Sequence, residues 1–295
     1  MIMNQKQKAL LHVTLIYLLV GIVGWATFEY FKDTGIVLRF IYADLAMTLV
    51  TYFFSVLKKN SSVYDAYWSV IPFYFLLFWY GYFDGSEWGI YSWICVLAIT
   101  FWSFRLTLSW ARGWPGWKHE DWRYVNFRKQ FGKFFEPINF LAIHLYPTFI
   151  VFLGMWPLFW VFEFGELQNP ILFYFGATLA VVGTLFELLA DNELDRFRKR
   201  ENKKKEDILR TGIWAYSRNP NYLGEMLFWF GLLGMGLAFG APYYTAAGSI
   251  GMLLMFLFAS IPMKDKQMEK NRPEAFAKYK REVSRILPLP PKKSS

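Results

Sequence analysis

The residues best placed to do chemistry lie in 208–225, which reads ILRTGIWAYSRNPNYLGE. Asn219 is a good helix N-cap and Pro220 suits a first helical turn, so a helix is expected to begin here. The run that follows, 222–239, is almost uniformly apolar and nearly the length of a membrane span. Asn221 and Glu225 are four apart, and Tyr222 and Glu225 three apart, so they share one helical face. A carboxylate one turn inside a membrane helix is costly and requires a partner or a polar cavity. Arg218 and a run of Lys and Arg come just before it. A helix N-terminus beside arginine is a natural seat for phosphate. The chemistry implied is capture of an anionic group at the cytoplasmic mouth of a membrane cavity.

Other polar residues lie inside or beside apolar runs. Asp65 opens SVYDAYWSVIP and shares a helical face with Trp68; it serves either as a helix cap or as a carboxylate aimed into the bundle. Arg105 lies deep in an apolar run and must meet a phosphate, a carboxylate or water, with Asp65 and Glu225 as candidates. Trp102 and Ser109 are on nearby turns. Arg39 and Asp44, five apart, are skewed for a pair on one helix and are expected to pair across helices. His12 and His144 are expected to be polar packing residues. Glu187, Asp191 and Arg198, at spacings of four and seven, form a stripe that suits a ribose and phosphate or else a solvated face. In 111–137, Trp114, Trp117, Trp122, Tyr124 and Phe127 alternate with bases. This fits a segment at headgroup depth facing anionic lipid, or a flap that touches a cofactor through Arg123 and Tyr124.

These residues are carried by a chain that is 55% hydrophobic and 21% aromatic, with its charge confined to a few loops. The net charge of +9 is of the kind that basic loops between spans produce, and nucleic-acid binding is not expected. The single cysteine, Cys95, excludes an intramolecular disulfide, and the three histidines show no metal-ligand spacing.

Eight apolar segments are expected to be helices: about 9–28, 36–57, 66–83, 88–110, 138–162, 170–190, 222–239 and 243–263. The loops alternate in charge, and the positive-inside rule places the even-numbered loops and both termini in the cytoplasm. The expected architecture is an all-α polytopic membrane helix bundle of about eight transmembrane helices. The first segment is read as a retained helix; its removal as a signal peptide would leave seven.

GIWAYSRNPNYLGE, an apolar span, a basic segment and then RPEAFAKYKREVSRILPLPP together resemble the C-terminal half of the steroid 5-alpha-reductase-like membrane proteins. NSSVYDAYWSVIP and the RLTLSWARGW…EDWRY run resemble a bacterial branch of the same family. The likeness covers about 58–290, leaving 1–57 as additional N-terminal membrane helices and 291–295 as a tail. It implies a core of seven helices plus one extra at the N-terminus, in the inner membrane of a bacterium. It further implies NADPH held from the cytoplasmic side and a lipid-like substrate, whether steroid, isoprenoid or fatty-acyl, reduced at a carbon–carbon double bond. By position, Asp191 and Arg198 match family residues around adenosine and phosphates. Asn221 and Glu225 match those on the ribose and nicotinamide side, Tyr279 lies near the tail's cofactor contacts, and Arg105 matches an arginine of the catalytic helix. Trp68, Arg123, Tyr124, Arg218, Asn219 and Tyr222 complete the expected cofactor-binding set. Where the steroid reductases pair Glu with Tyr, this chain has Asp65 and Trp102 as catalytic candidates. Indole donates a hydrogen bond but delivers no proton, so Asp65, kept protonated by a dry setting, is the expected general acid. The alternatives are an S-adenosylmethionine-dependent methyltransferase of the isoprenylcysteine carboxyl type, which uses a similar helix start, and a non-enzymatic transporter or scaffold.

Overall fold

The computed structural model describes residues 3–163, 165–202 and 204–292. Among the described residues regular structure is all-helical, with one isolated parallel bridge between Ser217 and Ser284. The chain divides into two compact units, Met1–Met155 and Trp156–Ser295. The boundary expected at 57/58 marks where sequence likeness begins and falls inside the first unit.

The first unit contains α1 (Gln5–Tyr30), α2 (Ile36–Lys58), α3 (Tyr64–Tyr82), α4 (Ile90–Gly113), α5 (Trp122–Phe131), α6 (Phe135–Ile138) and α7 (Tyr146–Met155). Helix α1 starts in a capping box, where Asn4 accepts from Gln7 N and Gln7 returns a bond to Asn4 N. Helix α2 ends at Lys59 with φ +51°, a left-handed C-cap that redirects the chain into Asn60–Ser62. A π-helical turn, Asn139–Leu145, links α6 and α7 and carries His144 inward. The core between α1, α2 and α3 is aromatic: Phe28, Phe40, Phe75, Phe78 and Trp79 are buried, with ring centroids 4.9–6.4 Å apart.

The second unit contains α8 (Phe159–Glu163), α9 (Pro170–Arg198), α10 (Pro220–Leu237), α11 (Ala247–Met255), α12 (Ile261–Asn271) and α13 (Pro273–Glu282). Asn169 caps α9 by accepting from Leu172 N at 3.0 Å, with Pro170 in the first turn. Helices α9 and α10 meet backbone to backbone. A Cβ added at Gly183 would lie 2.5 Å from Gly224 O, and one at Gly231 would lie 2.6 Å from Gly176 O. Glycine on both helices permits that approach, as small residues do at membrane-helix interfaces.

Among the described residues six helical stretches are long and apolar enough to cross a membrane: Gln5–Tyr30, Ile36–Lys58, Ile90–Gly113, Trp122–Glu163, Pro170–Arg198 and Tyr243–Asn271. The other two expected spans are present as α3 and α10, helices of 19 and 18 residues. Tyrosines and Asp65 in α3, and Asn221, Tyr222 and Glu225 in α10, make them less apolar than the six. Lipid-facing surface is plentiful: Leu18, Ile22, Leu97, Phe104, Phe175 and Phe258 are all exposed.

Candidate functional site

Each unit gathers its own polar cluster, and together the two clusters take in most of the residues singled out from the sequence. In the second unit the cluster forms around the start of α10. The helix begins at Pro220 as the sequence indicates, with Asn219 in the N-cap position. Asn219 does not cap it, however. Its φ of −140° and ψ of 56° turn the side chain away from the helix, its Nδ2 donates to Arg285 O at 2.8 Å, and its Oδ1 accepts from Lys264 Nζ at 2.7 Å. The helix start thus has no side-chain cap, and its amide dipoles stand beside an ammonium group.

The C-terminal strand of chain behind α13 builds this arrangement. Arg218 N donates to Ser284 O, and Ser217 Oγ donates to Ile286 O at 2.6 Å. Tyr279 donates its hydroxyl to Trp214 O at 2.6 Å; burial raises its pKa above the usual tyrosine value. Tyr279 therefore buttresses the segment that leads into α10. Gly212, at φ +59°, lies where a Cβ would strike the Glu193 carboxylate at 2.1 Å, and this keeps the chain against α9.

Charge collects here. Arg218 is buried and pairs with Asp265 at 3.1 Å, while Lys264 Nζ also donates to Arg218 O at 2.9 Å. Arg198, at the last position of α9, is within electrostatic reach of Lys264. Arg198, Arg218 and Lys264 thus bring three cations together beside Asp265. Asn221 Oδ1 is buried with no hydrogen-bond partner among the described residues. Tyr222 stacks on Phe256 at 4.7 Å. Deeper along α10, Glu225 is 3% exposed and accepts from Trp229 Nε1 at 2.9 Å, so its carboxylate faces protein and not acyl chains. Glu187 packs on Gly224, where an added Cβ would lie 2.5 Å from Glu187 Cγ. Asp191 continues that stripe of α9, half-buried. Lys264 and Asp265 were not singled out from the sequence; they stand just beyond the last apolar run in IPMKDK, where a basic tail is read as an orientation signal.

In the first unit the cluster forms at the start of α3. Asp65 Oδ1 accepts from Arg123 Nη2 at 2.8 Å and from Tyr124 Oη at 2.5 Å. Arg123 Nε also donates to Asp121 Oδ1 at 2.7 Å, the residue that caps α5. The segment before α5 is tied to the NSS sequence: Asn60 Nδ2 donates to Trp117 O and His119 O, both at 2.9 Å, and Asp121 N donates to Ser62 Oγ at 2.8 Å. Trp68, on the Asp65 face of α3, meets Trp102 edge to face at 6.2 Å. Arg105 is buried on the next turn of α4.

Arg123 and Tyr124 both donate to Asp65, so an internal ion pair ties the aromatic–basic segment to the start of α3. Arg39 pairs across helices with Glu29 of α1 at 3.3 Å and donates to Phe28 O at 3.0 Å. Among the described residues no group of His, Cys, Asp and Glu could hold a metal ion.

A family model described as "Protein of unknown function (DUF1295)" matches residues 51–283. The chain belongs to that family. Its members are steroid 5-alpha-reductase-like membrane proteins, and the matched stretch covers the resemblance expected over 58–290 up to residue 283. The chain is also 28% identical over 305 residues to "Uncharacterized protein C594.04c" of Schizosaccharomyces pombe, covering 92% of this chain and 84% of that protein. No solved structure matches it.

Proposed function

We propose that this protein is an NADPH-dependent membrane reductase of the steroid 5-alpha-reductase type, saturating a carbon–carbon double bond of a lipid-like substrate. The observation that carries the reading is the gathering of Arg198, Arg218 and Lys264 at the uncapped start of α10, where Asn221 Oδ1 lacks a donor among the described residues. A phosphate-rich nucleotide meets those needs: its phosphates answer the cations, and a ribose hydroxyl or carboxamide N–H answers Asn221. S-adenosylmethionine carries a sulfonium and no phosphate, so the same gathering of cations weighs against the methyltransferase reading.

In this reading Arg198, Arg218 and Lys264 would hold the phosphates, with Asn221, Tyr222 and Glu225 on the ribose and nicotinamide side. When bound, NADPH supplies the hydride. Within the first unit, Asp65 accepts from Tyr124 and Arg123, and Trp68, on the same face of α3, meets Trp102 edge to face. The exposed apolar flanks of the helices suit a substrate arriving from the bilayer, and a steroid is the least expected of the three lipid classes because the Glu–Tyr pair is absent.

The test is transfer of label. Protein incubated with membrane lipids and NADPH deuterated at the nicotinamide should yield a lipid heavier by one deuterium and one proton. A methyl group transferred from S-adenosylmethionine, or no transfer at all, would replace this reading with the methyltransferase or the non-enzymatic one.

A further inference from the structure

The ammonium of Lys264 is fixed by the protein itself. Its Nζ donates to Asn219 Oδ1 at 2.7 Å and to Arg218 O at 2.9 Å, and it lies 5.0 Å from the ring centroid of Trp214 and 5.6 Å from that of Tyr222. An ammonium carries three N–H groups and no acceptor. Two of them are spent on these oxygens, so the two oxygens set the direction of the third. Arg218 O is main chain, and its residue is pinned because Arg218 N donates to Ser284 O at 2.9 Å. Asn219 Oδ1 belongs to a side chain that could turn, and what stops it is the tail. Asn219 is fully buried, and its Nδ2 donates to Arg285 O at 2.8 Å. The reverse orientation would set the amide N–H against an ammonium and the amide oxygen against a carbonyl, so the amide has one choice. Arg285 is fastened in turn: its Nη2 donates to Leu257 O at 2.7 Å. Leu257 lies in the π-helical turn Phe256–Ser260, where main-chain bonding shifts to i+5. Beside Lys264, Arg218 is 6% exposed and its Nε has no hydrogen-bond partner among the described residues. A second buried cationic donor therefore calls for an acceptor at the same place.

We propose that Asn219 is a positioning residue for an anion at the start of α10, acting through Lys264, and that the tail segment 284–286 is the strap that holds it in that role. The line is continuous: Leu257 O holds Arg285, Arg285 O holds Asn219, and Asn219 Oδ1 holds Lys264 with one N–H left to give. With the strap lifted, the amide is free to turn onto the helix it stands in position to cap, and the ammonium loses its aim. Detachment of a few tail residues therefore switches the site off without touching any group that meets the anion. The proposal rests on the phosphate-binding part of the reading above and not on the reaction, and it makes docking of the tail the regulatory step of that site.

The test is calorimetric titration of the full chain in detergent with inorganic pyrophosphate and, separately, with NADPH. Asn219→Ala should weaken pyrophosphate binding about tenfold, as Lys264→Met should, since each removes or misdirects one charge-assisted hydrogen bond. The double variant should be no weaker than either single one, because the first residue acts only through the second. Arg285→Ala should reproduce the loss, and Arg285→Lys, which keeps a donor for Leu257 O, should recover most of it. Losses that multiply to about a hundredfold in the double variant, full affinity in Arg285→Ala, no recovery in Arg285→Lys, or a wild type that does not bind pyrophosphate would overturn the proposal. The Arg285 pair decides the matter where Asn219→Ala fails to fold. Pyrophosphate binding with the expected pattern but no NADPH binding would uphold the strap and remove the nucleotide reading; multiplied losses in a chain that binds NADPH would do the reverse.

Discussion

Lys264 Nζ donates to Asn219 Oδ1 at 2.7 Å, and this contact draws Asn219 off the helix it stands in position to cap. The ammonium takes the place of a capping oxygen at the start of α10, where it would repel a cation and attract an anion. NADPH affinity is therefore expected to fall as salt rises, because phosphate–cation attraction is screened. In Lys264→Met affinity should drop about tenfold or more, since a charge-assisted hydrogen bond contributes about 1.5–3 kcal/mol. The salt dependence should also become shallower. Fluorescence titrations at several salt concentrations would measure both.

The glycine contact between α9 and α10 has no room to spare. A Cβ at Gly224 would lie 2.6 Å from Gly183 O and 2.5 Å from Glu187 Cγ. Gly224→Ala is expected to cost about 1–3 kcal/mol through forced separation of the helices. Gly35→Ala, where nothing lies within 4 Å, should cost only the exchange of one N-cap residue for a poorer one, about 0.5–1 kcal/mol. Denaturation of the two variants in matched detergent would compare them.

The pair of Asp65 and Arg123 closes the first-unit cluster. The Arg123 side chain is 42% exposed, so the coupling is expected to be about 1 kcal/mol and not the several that a dry pair would give. A double-mutant cycle with Asp65→Asn and Arg123→Lys would measure it. Hydrogen exchange across 114–124 should accelerate in Asp65→Asn, because that segment is tied to the start of α3.

Tyr279 gives a pH signature. Burial raises its pKa above the usual value of 10.0, so the folded state keeps the phenol proton that the unfolded chain gives up. Its contribution is whole below that value and is lost progressively as pH rises beyond it. The stability gap between wild type and Tyr279→Phe should therefore narrow in alkali, and denaturation at neutral and alkaline pH would show it.

Much of this was legible in sequence. The apolar runs mark every long helix, and Asn–Pro marks the start of α10, because local rules act within a few residues. The site's wiring was not legible, because it depends on partners distant in sequence. Asn219 obeys a local capping rule until Lys264 and Arg285, 45 and 66 residues away, claim its side chain. Asp65 and Tyr124 are 59 residues apart, and no periodicity links them. Arg39 was expected to pair across helices, and it does so with Glu29 on α1, but nothing local in the sequence names that partner.

The central claim is that a phosphate-bearing nucleotide rests at the start of α10. Its most direct measurement is equilibrium binding of NADPH to the purified chain in detergent, beside Arg198→Ala and Glu225→Gln. Saturable binding, weakened about tenfold or more in each variant, is the expected result. Absence of NADPH binding, binding untouched by both substitutions, or binding of S-adenosylmethionine in its place would contradict it.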